Sequence, residues 1–264
     1  MSEPVVIRNE RDGVLELVLN RPDKLNAINQ EVLDVLALAV EDLRTEDRHR
    51  VMLIRGRGRY FSAGADLAAF TDHPEARSGL RVRGWFRRQL GGMQTLWQEM
   101  ELVEKPIVVA HHAMCIGAGL EMSLSCDFRL AAASAEYWFP EMKMAVLPLS
   151  GGVSRLARFC GPHWAKWMVL ANEKVDAQQA LTMGLVQKVY PDESFEAEVW
   201  AFCQRLASFP PEAMAMAKLA TDLAADMESA NARQLERLAY SNLVALDEQA
   251  EARREHHRKI LKNQ

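Results

Sequence analysis

The first part of the chain alternates between short apolar runs and segments with helical spacing. Residues 5–7 and 14–19 are aliphatic runs joined by Asp12-Gly13, a dipeptide that tolerates the positive φ of a tight hairpin turn. From Asn29 onward the apolar residues recur every three or four positions, which predicts a helix, and residues 51–55 then predict a buried strand. A strand, a helix and a strand in succession are typical of a parallel sheet in an α/β fold.

The pattern changes along the chain. A polar stretch at residues 71–79 leads into a predicted helix through Trp85, Leu90 and Trp97. Beyond Gly151 nearly every segment has helical spacing. The remaining predicted strands are residues 106–110, 128–131, 137–139 and 185–190. We therefore predict an α/β core over residues 1–190 and a helical region over residues 191–264.

Composition narrows the function classes. The 264 residues carry 32 basic and 36 acidic side chains, for a formal net charge of -4. This balance argues against nucleic-acid binding and against attraction to an anionic membrane, because both depend on clustered Lys and Arg. No apolar run approaches the roughly 18 residues of a membrane span, and no signal-peptide pattern is visible. We expect a cytoplasmic protein with no membrane partner.

The cysteines and histidines show no metal-binding pattern. The four cysteines are widely separated without a C-x-x-C pair, which favours reduced core thiols over a metal or redox site. The histidine pairs at 111–112 and 256–257 lack the spacing of an H-E-x-x-H zinc site. We predict no metal site. A cluster of arginines stands at positions 81, 83, 87 and 88. A solvated helix face is the favoured interpretation of this cluster, and a site for a phosphate or an acidic substrate is the alternative.

Two segments of small residues follow the strands predicted at residues 51–55 and 106–110. Residues 61–67 read F-S-A-G-A-D-L, and residues 115–121 read C-I-G-A-G-L-E. Small side chains let a ligand approach the backbone, and free N–H groups there bind an anion or a polarised carbonyl. Two such loops are able to aim two N–H groups at one oxygen as an oxyanion hole. The alternative is a tight turn without a ligand.

Two glutamates stand next to apolar segments. Glu121 begins an apolar helix, and Glu141 follows Trp138, Phe139 and Pro140 at the end of an apolar strand. Burial raises the pKa of a carboxyl group and suits it to proton transfer near neutral pH. The alternative for either glutamate alone is an ordinary charge at a helix end.

Other motifs are excluded by their spacing. Gly117-x-Gly119 is not a dinucleotide fingerprint, because Met122 stands where the third glycine would be. Residues 148–152, P-L-S-G-G, lack the first glycine of a nucleophile elbow.

Four motifs in order resemble the enoyl-CoA hydratase/isomerase, or crotonase, superfamily. They are N-R-P-D-K-L-N-A at 20–27, F-S-A-G-A-D-L at 61–67, G-A-G-L-E at 117–121 continuing to Cys126-Asp127, and Pro140-Glu141. The resemblance covers about residues 5–260. It implies an α/β fold with a crotonase-like spiral core of ββα repeats and a C-terminal helical region. It also implies a homotrimer or a dimer of trimers built through the C-terminal helices.

The resemblance implies a role for each matched position. The backbone N–H groups of Ala65 and Ala118 would stabilise a thioester enolate, and Glu121 and Glu141 would be the two catalytic glutamates. An acyl-CoA thioester would be the substrate. Its coenzyme A portion would lie along Lys24, Leu25, Ala27, Ala63, Gly64, Ala65, Asp66, Leu67 and Gly117, and the substrate pocket would include Trp138, Pro140 and Leu149.

The presence of both glutamates favours enoyl-CoA hydratase activity, the reversible syn addition of water to a 2,3-double bond. No cofactor is expected, because the thioester itself is the electron sink. Three departures from the family pattern concern the substrate: Trp138 replaces a small residue, Leu149 stands near an expected glycine, and the last helix lacks the aromatic-plus-Lys segment. The alternatives are an isomerase, a carnitinyl-CoA dehydratase-like lyase or an acyl-CoA hydrolase. A non-catalytic acyl-CoA or RNA binder and a two-carboxylate carbohydrate hydrolase are different classes.

Overall fold

A computed structural model of the chain describes residues 3–70, 79–89 and 91–262. The strands are β1 Val6–Arg11, β2 Val14–Leu19, β3 Val51–Gly56, β4 Tyr60–Ser62, β5 Ile107–His111, β6 Met114–Ile116, β7 Phe128–Ala132, β8 Glu136–Trp138, β9 Val175–Asp176 and β10 Lys188–Tyr190. The helices are α1 Gln30–Thr45, α2 Gly79–Gln89, α3 Gly91–Leu102, α4 Ala118–Leu124, α5 Gly152–Val169, α6 Ala177–Thr182, α7 Phe195–Ala207, α8 Pro211–Ala224, α9 Ser229–Val244 and α10 Asp247–Lys262.

The larger sheet has the strand order β1-β2-β3-β5-β7-β10 among the described residues. β1 and β2 form the predicted antiparallel hairpin, with Asp12 and Gly13 at φ values of 53° and 79°. The other neighbours pair in parallel. The helix predicted from Asn29 is α1, whose first turn is capped by the Asn29 side chain accepting from Val32 N–H. The α/β class is confirmed.

Both faces of the larger sheet are covered, because successive side chains of a strand point to opposite faces. One face packs with α1, α3, α4 and α5 in the main core, to which β3 contributes Met52 and Ile54. The other face packs against α7 through Val51 and Leu53 of the same strand. α7 therefore rests on the sheet, while the proposed division between residues 190 and 191 stays a prediction.

The smaller sheet has the order β4-β6-β8-β9. β4, β6 and β8 run parallel, and β9 pairs antiparallel with β8. The sequence analysis found β8 but missed β4, β6 and β9, which are only two or three residues long. Contrary to the sequence reading, the small-residue segments therefore follow β4 and β6, and not the longer strands β3 and β5.

The helices and the cysteines largely follow the sequence predictions, with one predicted helix divided in two. The helix predicted through Trp85 and Trp97 is two helices, α2 and α3, and Leu90 and residues 71–78 lie outside the described residues. Beyond Gly151 the chain is mainly helical as predicted. The cysteines at 115, 126, 160 and 203 are buried free thiols. None of the helices in the described ranges is both long enough and apolar enough to span a membrane.

Candidate active site

The smaller sheet brings three predicted site segments to one edge. Because β4, β6 and β8 are parallel, their carboxyl ends meet, and ligands bind at such an edge in open α/β sheets. The chain leaves β4 into residues 63–67, leaves β6 into Gly117 and α4, and leaves β8 into Pro140 and Glu141. The N–H of Gly117 donates to the carbonyl of Trp138 at 3.1 Å and holds the second and third segments together.

Glycines let the first two segments touch backbone to backbone. A Cβ on Gly64 would lie 3.0 Å from the carbonyl oxygen of Ile116 and 3.3 Å from the nitrogen of Ala118, and Gly64 has a φ of 92°. A Cβ on Gly119 would lie 2.6 Å from the Cβ of Ser62. Both positions therefore exclude a side chain, and the separation of the two loops is fixed by packing.

The N–H groups of Ala65 and Ala118 are the predicted oxyanion donors. The neighbouring N–H groups are used: Ile28 donates to Gly64 O at 2.8 Å and Asp66 donates to Ile28 O at 2.9 Å. Neither the N–H of Ala65 nor that of Ala118 donates to a protein group within the described ranges. Ala118 is the first residue of α4, where backbone donors have no partner inside the helix. The structure thus places two free donors on adjoining loops.

Glu121 lies in α4 with only 4% of its surface exposed. Its Oε1 accepts a hydrogen bond of 2.8 Å from the N–H of Ser150. Burial raises the pKa of Glu121, while the backbone N–H groups of Ser150 and Gly152 and the charge of Arg155 act in the opposite direction. A Cβ on Gly152 would lie 2.9 Å from the same Oε1, so this residue too must be glycine.

Glu141 begins a short 3-10 turn, Glu141–Met144, and is half-buried. Burial, reinforced by the neighbouring charge of Glu121, raises the pKa of Glu141 to about 7. Its Oε2 is buried without a hydrogen-bond partner in the described part of the chain. Its Oε1 lies 2.8 Å from where a Cβ on Gly117 would stand. Glu141 therefore faces the loop that carries Ala118.

The predicted coenzyme A segments are adjacent. The N–H of Ala63 donates to the carbonyl of Leu25 at 2.9 Å. Leu25 and the buried Asn26 have φ values of 51° and 53° and form a tight turn. Lys24 is exposed at this turn, whereas Ala27 is half-buried.

Asn26 organises this turn. Its side-chain amide donates to the carbonyls of Arg57 and Tyr60 at 2.8 and 2.9 Å and accepts from the N–H of Arg21 at 2.8 Å. Ser62 Oγ donates to the carbonyl of Asn26 at 2.9 Å. The sequence analysis assigned no role to Asn26, although the N-R-P-D-K-L-N-A motif contains it.

Asp66 and Leu67 complete the second segment. The carboxylate of Asp66 forms an ion pair of 3.0 Å with Arg21, whose guanidinium also donates to the carbonyl of Ala27. Leu67 is 62% exposed. The carboxylate of Asp66 therefore stabilises the fold of the segment, a role that the sequence analysis did not assign to it.

The three predicted pocket residues lie at different places. Pro140 precedes the turn of Glu141, and Leu149 is an exposed side chain next to Ser150, with its carbonyl accepting from Gln94 at 3.0 Å. The indole of Trp138 points toward residues 172–174: its Nε1 donates to the carbonyl of Asn172 at 3.0 Å. The ammonium groups of Lys143 and Lys174 lie 4.5 and 5.2 Å from its ring centre.

A groove of about 1440 Å³ lies beside the site, between α3, α5 and α8. Among its lining residues, Ser150 and Gly151 lie beside the site, whereas Glu121 and Glu141 do not line it. The candidate site is therefore identified by its glutamates and free backbone donors and not by the size of a cavity. Within the described ranges, no cluster of three or more His, Cys, Asp and Glu side chains is placed to hold a metal ion.

Comparison with known proteins is consistent with this geometry. The family model described as enoyl-CoA hydratase/isomerase matches residues 9–260. A 2,3-dehydroadipyl-CoA hydratase of Escherichia coli K12 is 32% identical over 95% of this chain and 94% of its own length, and a crotonyl-CoA hydratase of Syntrophomonas wolfei is 29% identical over the same shares. A crystal structure of an enoyl-CoA hydratase subunit from Geobacillus kaustophilus HTA426 has a TM-score of 0.87 at 30% identity, covering 97% of this chain and 95% of that one. The chain belongs to the enoyl-CoA hydratase/isomerase family, as its motifs predict.

Proposed function

We propose that this chain is an enoyl-CoA hydratase that adds water reversibly to the 2,3-double bond of an acyl-CoA thioester. The observation that carries the proposal is the placement of two glutamates with different surroundings beside two free backbone donors. Relatives named as hydratases match nearly the whole chain, which supports the same activity.

Charge would develop on the thioester oxygen as water attacks Cβ. The N–H groups of Ala65 and Ala118 would bind this oxygen, and a pair of fixed donors of this kind is typically worth about 10²–10³ in rate for each donor. The thioester carries the electron pair as an enolate, so we propose that the reaction needs no cofactor. The addition also needs one group that takes a proton from water and another that gives a proton to Cα.

The two glutamates would divide the proton transfers. Glu121, whose carboxylate accepts backbone hydrogen bonds, would take a proton from the attacking water. Glu141, with its pKa raised to about 7, would hold a proton and give it to Cα. After the addition Glu121 holds the proton and Glu141 has lost one, so the pair carries the same number of protons as before.

Coenzyme A would lie along the two segments joined by the Ala63–Leu25 hydrogen bond. This places Lys24, Leu25 and Ala27 on one side and residues 63–67 with Gly117 on the other. The exposed ammonium of Lys24 suits a phosphate of the nucleotide end, while the peptide groups suit the pantetheine portion.

Substitution of each glutamate tests the proposal. Glu121→Gln and Glu141→Gln are each expected to lower turnover of crotonyl-CoA by at least about 10², the usual contribution of a general acid or base. The rate of hydration is measured as the decrease in absorbance of the enoyl thioester. Unchanged turnover in either variant would contradict the assignment of that glutamate.

Product analysis separates hydration from the related reactions. Crotonyl-CoA should give 3-hydroxybutyryl-CoA, with the thioester intact. Conversion of a 3-enoyl-CoA to the 2-enoyl isomer without hydration would favour an isomerase, and release of free coenzyme A would favour a hydrolase. A panel of chain lengths that includes an acyl group with a terminal carboxylate would identify the substrate.

We also propose a cytoplasmic homotrimer or dimer of trimers. The four buried free thiols support a reducing compartment. Exposed apolar side chains on α8 and α9 support subunit contacts: Leu223, Leu238, Tyr240 and Val244. Light scattering coupled to size-exclusion chromatography measures the mass, and a monomer would contradict the proposal.

A further inference from the structure

The loop of residues 148–152 supplies the hydrogen bond that holds Glu121. Its Ser150 N–H donates to Oε1 of the glutamate at 2.8 Å. None of the five residues in the loop is charged, so the position of the Ser150 peptide depends on contacts from outside the loop.

Arg155, in the first turns of α5, provides such a contact. Its Nη1 donates to the carbonyl of Ser150 at 3.0 Å, while its Nε and Nη2 each donate at 2.6 Å to one carboxylate oxygen of Glu101 on α3. The arginine side chain is 12% exposed. A two-point pair of this kind fixes the plane of the guanidinium as well as its distance.

The loop is shaped around this guanidinium. Gly151 has a φ of 91°, and a Cβ there would lie 1.9 Å from Nη1 of Arg155. A side chain at position 151 would therefore expel the guanidinium. α3 also contacts the neighbouring peptide, because Gln94 donates to the carbonyl of Leu149 at 3.0 Å. α3 therefore contacts the carbonyl of Leu149 directly and supports the carbonyl of Ser150 through Arg155.

Within the described residues, two charged groups act on Glu121 directly and a third acts through Arg155. Arg155 faces it from α5 and favours the carboxylate, Glu141 faces it from the 3-10 turn, and Glu101 lies on the far side of Arg155. Burial acts against the carboxylate. The only positive charge in this set is that of Arg155.

We propose that Arg155, oriented by Glu101, is a positioning residue that fixes the Ser150 peptide and thereby the direction and ionisation of the Glu121 carboxylate. The proposal rests on the proposed hydratase function for its kinetic consequence but not for its effect on Glu121. Loss of Arg155 removes a positive charge and releases the Ser150 peptide. Both changes disfavour the carboxylate, so the pKa of Glu121 should rise.

The test compares Arg155→Gln with Arg155→Lys and with Arg158→Gln in the full-length protein. Arg158 is the matched control: it lies one turn further along α5, is 46% exposed and pairs with Asp226 at 2.9 Å. The first measurement is the titration of the Glu121 carboxyl by carbon-13 NMR, with its resonance identified by its loss in Glu121→Gln. The second is the pH profile of kcat/KM for crotonyl-CoA hydration.

In Arg155→Gln we expect the Glu121 titration and the acidic limb of kcat/KM to move to higher pH. We also expect kcat/KM near pH 7 to fall about 10- to 100-fold, the usual effect of misplacing a catalytic group. Arg155→Lys keeps the charge without the fork, so the limb should stay in place while the rate falls. Arg158→Gln should match the wild type in both measurements.

An unmoved Glu121 titration in Arg155→Gln would overturn the proposal, and so would an equal shift in Arg158→Gln. If Arg155→Gln does not fold, Glu101→Gln serves instead: it keeps the positive charge and removes its anchor, and kcat/KM should fall. Wild-type kcat/KM in that variant would likewise overturn the proposal. A wild-type protein without hydratase activity would refute the proposed function, whereas the NMR titration would still decide the role of Arg155.

Discussion

Glu121 and Glu141 are the same residue type in two environments. Glu121 accepts a hydrogen bond from the Ser150 peptide, which favours its charged form, whereas Oε2 of Glu141 lacks a partner among the described residues. We therefore expect Glu141, whose pKa is raised to about 7, to hold the proton of the pair near neutral pH. This difference matches the two roles proposed for the carboxyl groups.

The paired titration predicts a particular pH dependence. Hydration and dehydration both require one proton on the pair, because the reaction only exchanges which glutamate holds it. We expect kcat/KM to fall as the pH rises above about 7, where Glu141 loses its proton, and to fall equally in both directions. Initial rates with crotonyl-CoA and with 3-hydroxybutyryl-CoA from pH 5 to 9 measure this. Basic limbs at different pH values in the two directions would contradict it.

The same carboxyl group should lower the stability of the fold at alkaline pH. The pKa of Glu141 is about 7 in the folded protein against an ordinary value of 4.5, so the folded state binds more protons than the unfolded state between these values. Stability is therefore lost as the pH rises through that window. We expect Glu141→Gln to have a higher Tm than the wild type at pH 8.

The difference in Tm should shrink as the pH falls toward 4.5, because the unfolded state then also begins to bind the proton. Thermal melts of the two proteins at pH 5 and pH 8 test this. If Glu141→Gln does not raise Tm at pH 8, or raises it equally at both pH values, then ionisation of Glu141 does not destabilise the folded protein.

The two glutamates and the N–H groups of Ala65 and Ala118 were predictable from the motifs, whereas the N–H of Ser150 was not. Glu121 and Glu141 were identified by their apolar flanks and by the motifs around them. The Ser150 N–H left no such signature, because every residue except proline has a backbone donor. The one available signal is Gly151-Gly152 at the start of a helix, which the sequence alone identifies only as a segment that is not a nucleophile elbow and that departs from the family pattern at Leu149.

At the scale of elements, the site depends on two strands that were not predicted from the sequence. β4 and β6 have three residues each, and a period of two is hard to recognise over three positions; β8 is as short but was predicted from its apolar residues. The hairpin and α1 were predictable because their apolar patterns run for six or more residues. The site loops are therefore predictable from spacing, but two of them follow β4 and β6 and not the longer strands predicted before them.

Close packing between β4 and α4 should make position 119 intolerant of any side chain. Gly119→Ala would place a methyl group 2.6 Å from the Cβ of Ser62 and push α4, with Ala118 and Glu121, away from the first loop. Such overpacking costs about 1–3 kcal/mol. We expect a lower urea midpoint together with a loss of hydratase activity.

Gly92→Ala provides the control for this substitution. Gly92 lies in α3, and a Cβ placed there would meet no other part of the described residues within 4 Å. Alanine at an open helical position is expected to stabilise by about 0.5–1 kcal/mol. Equal destabilisation by Gly92→Ala and Gly119→Ala would contradict the account based on contact with Ser62.

At the scale of the whole molecule, a buried ion pair joins the C-terminal helices to the sheet. Lys218 of α8 lies 2.9 Å from the carboxylate of Asp127, just before β7, and its side chain is only 8% exposed. The Asp127 carboxylate also accepts from the N–H of Ile107 at the start of β5. The pair thus connects α8 to two central strands.

Removal of one partner should loosen this connection. Lys218→Met leaves Asp127 buried without its cation, a change that typically costs about 3–5 kcal/mol. Urea unfolding measures the loss, and limited proteolysis should show earlier cleavage between α8 and α10. Lys218→Met combined with Asp127→Asn should recover part of the stability, and a double variant no better than the single one would argue against the pair.

The family and the α/β class were predictable because ordered motifs extend over most of the chain. The way in which the helical region meets the sheet was not, because Lys218 and Asp127 are 91 residues apart and neither stands in a motif that names the other. α7 also packs on the sheet through Phe195 and Val199, a contact that helical spacing alone does not assign to a partner.

The clamp formed by Arg21, Asn26 and Asp66 has a thermodynamic consequence for ligand binding. Ordering a flexible backbone costs about 1–2 kcal/mol for each residue, but these contacts already hold residues 25–27 and 63–66 in the free protein. A ligand that fits this arrangement binds without the entropic cost of ordering the segment. A ligand that needs a different arrangement must first break the ion pair between Arg21 and Asp66. The rigid segment therefore favours binding of ligands that fit it as it stands.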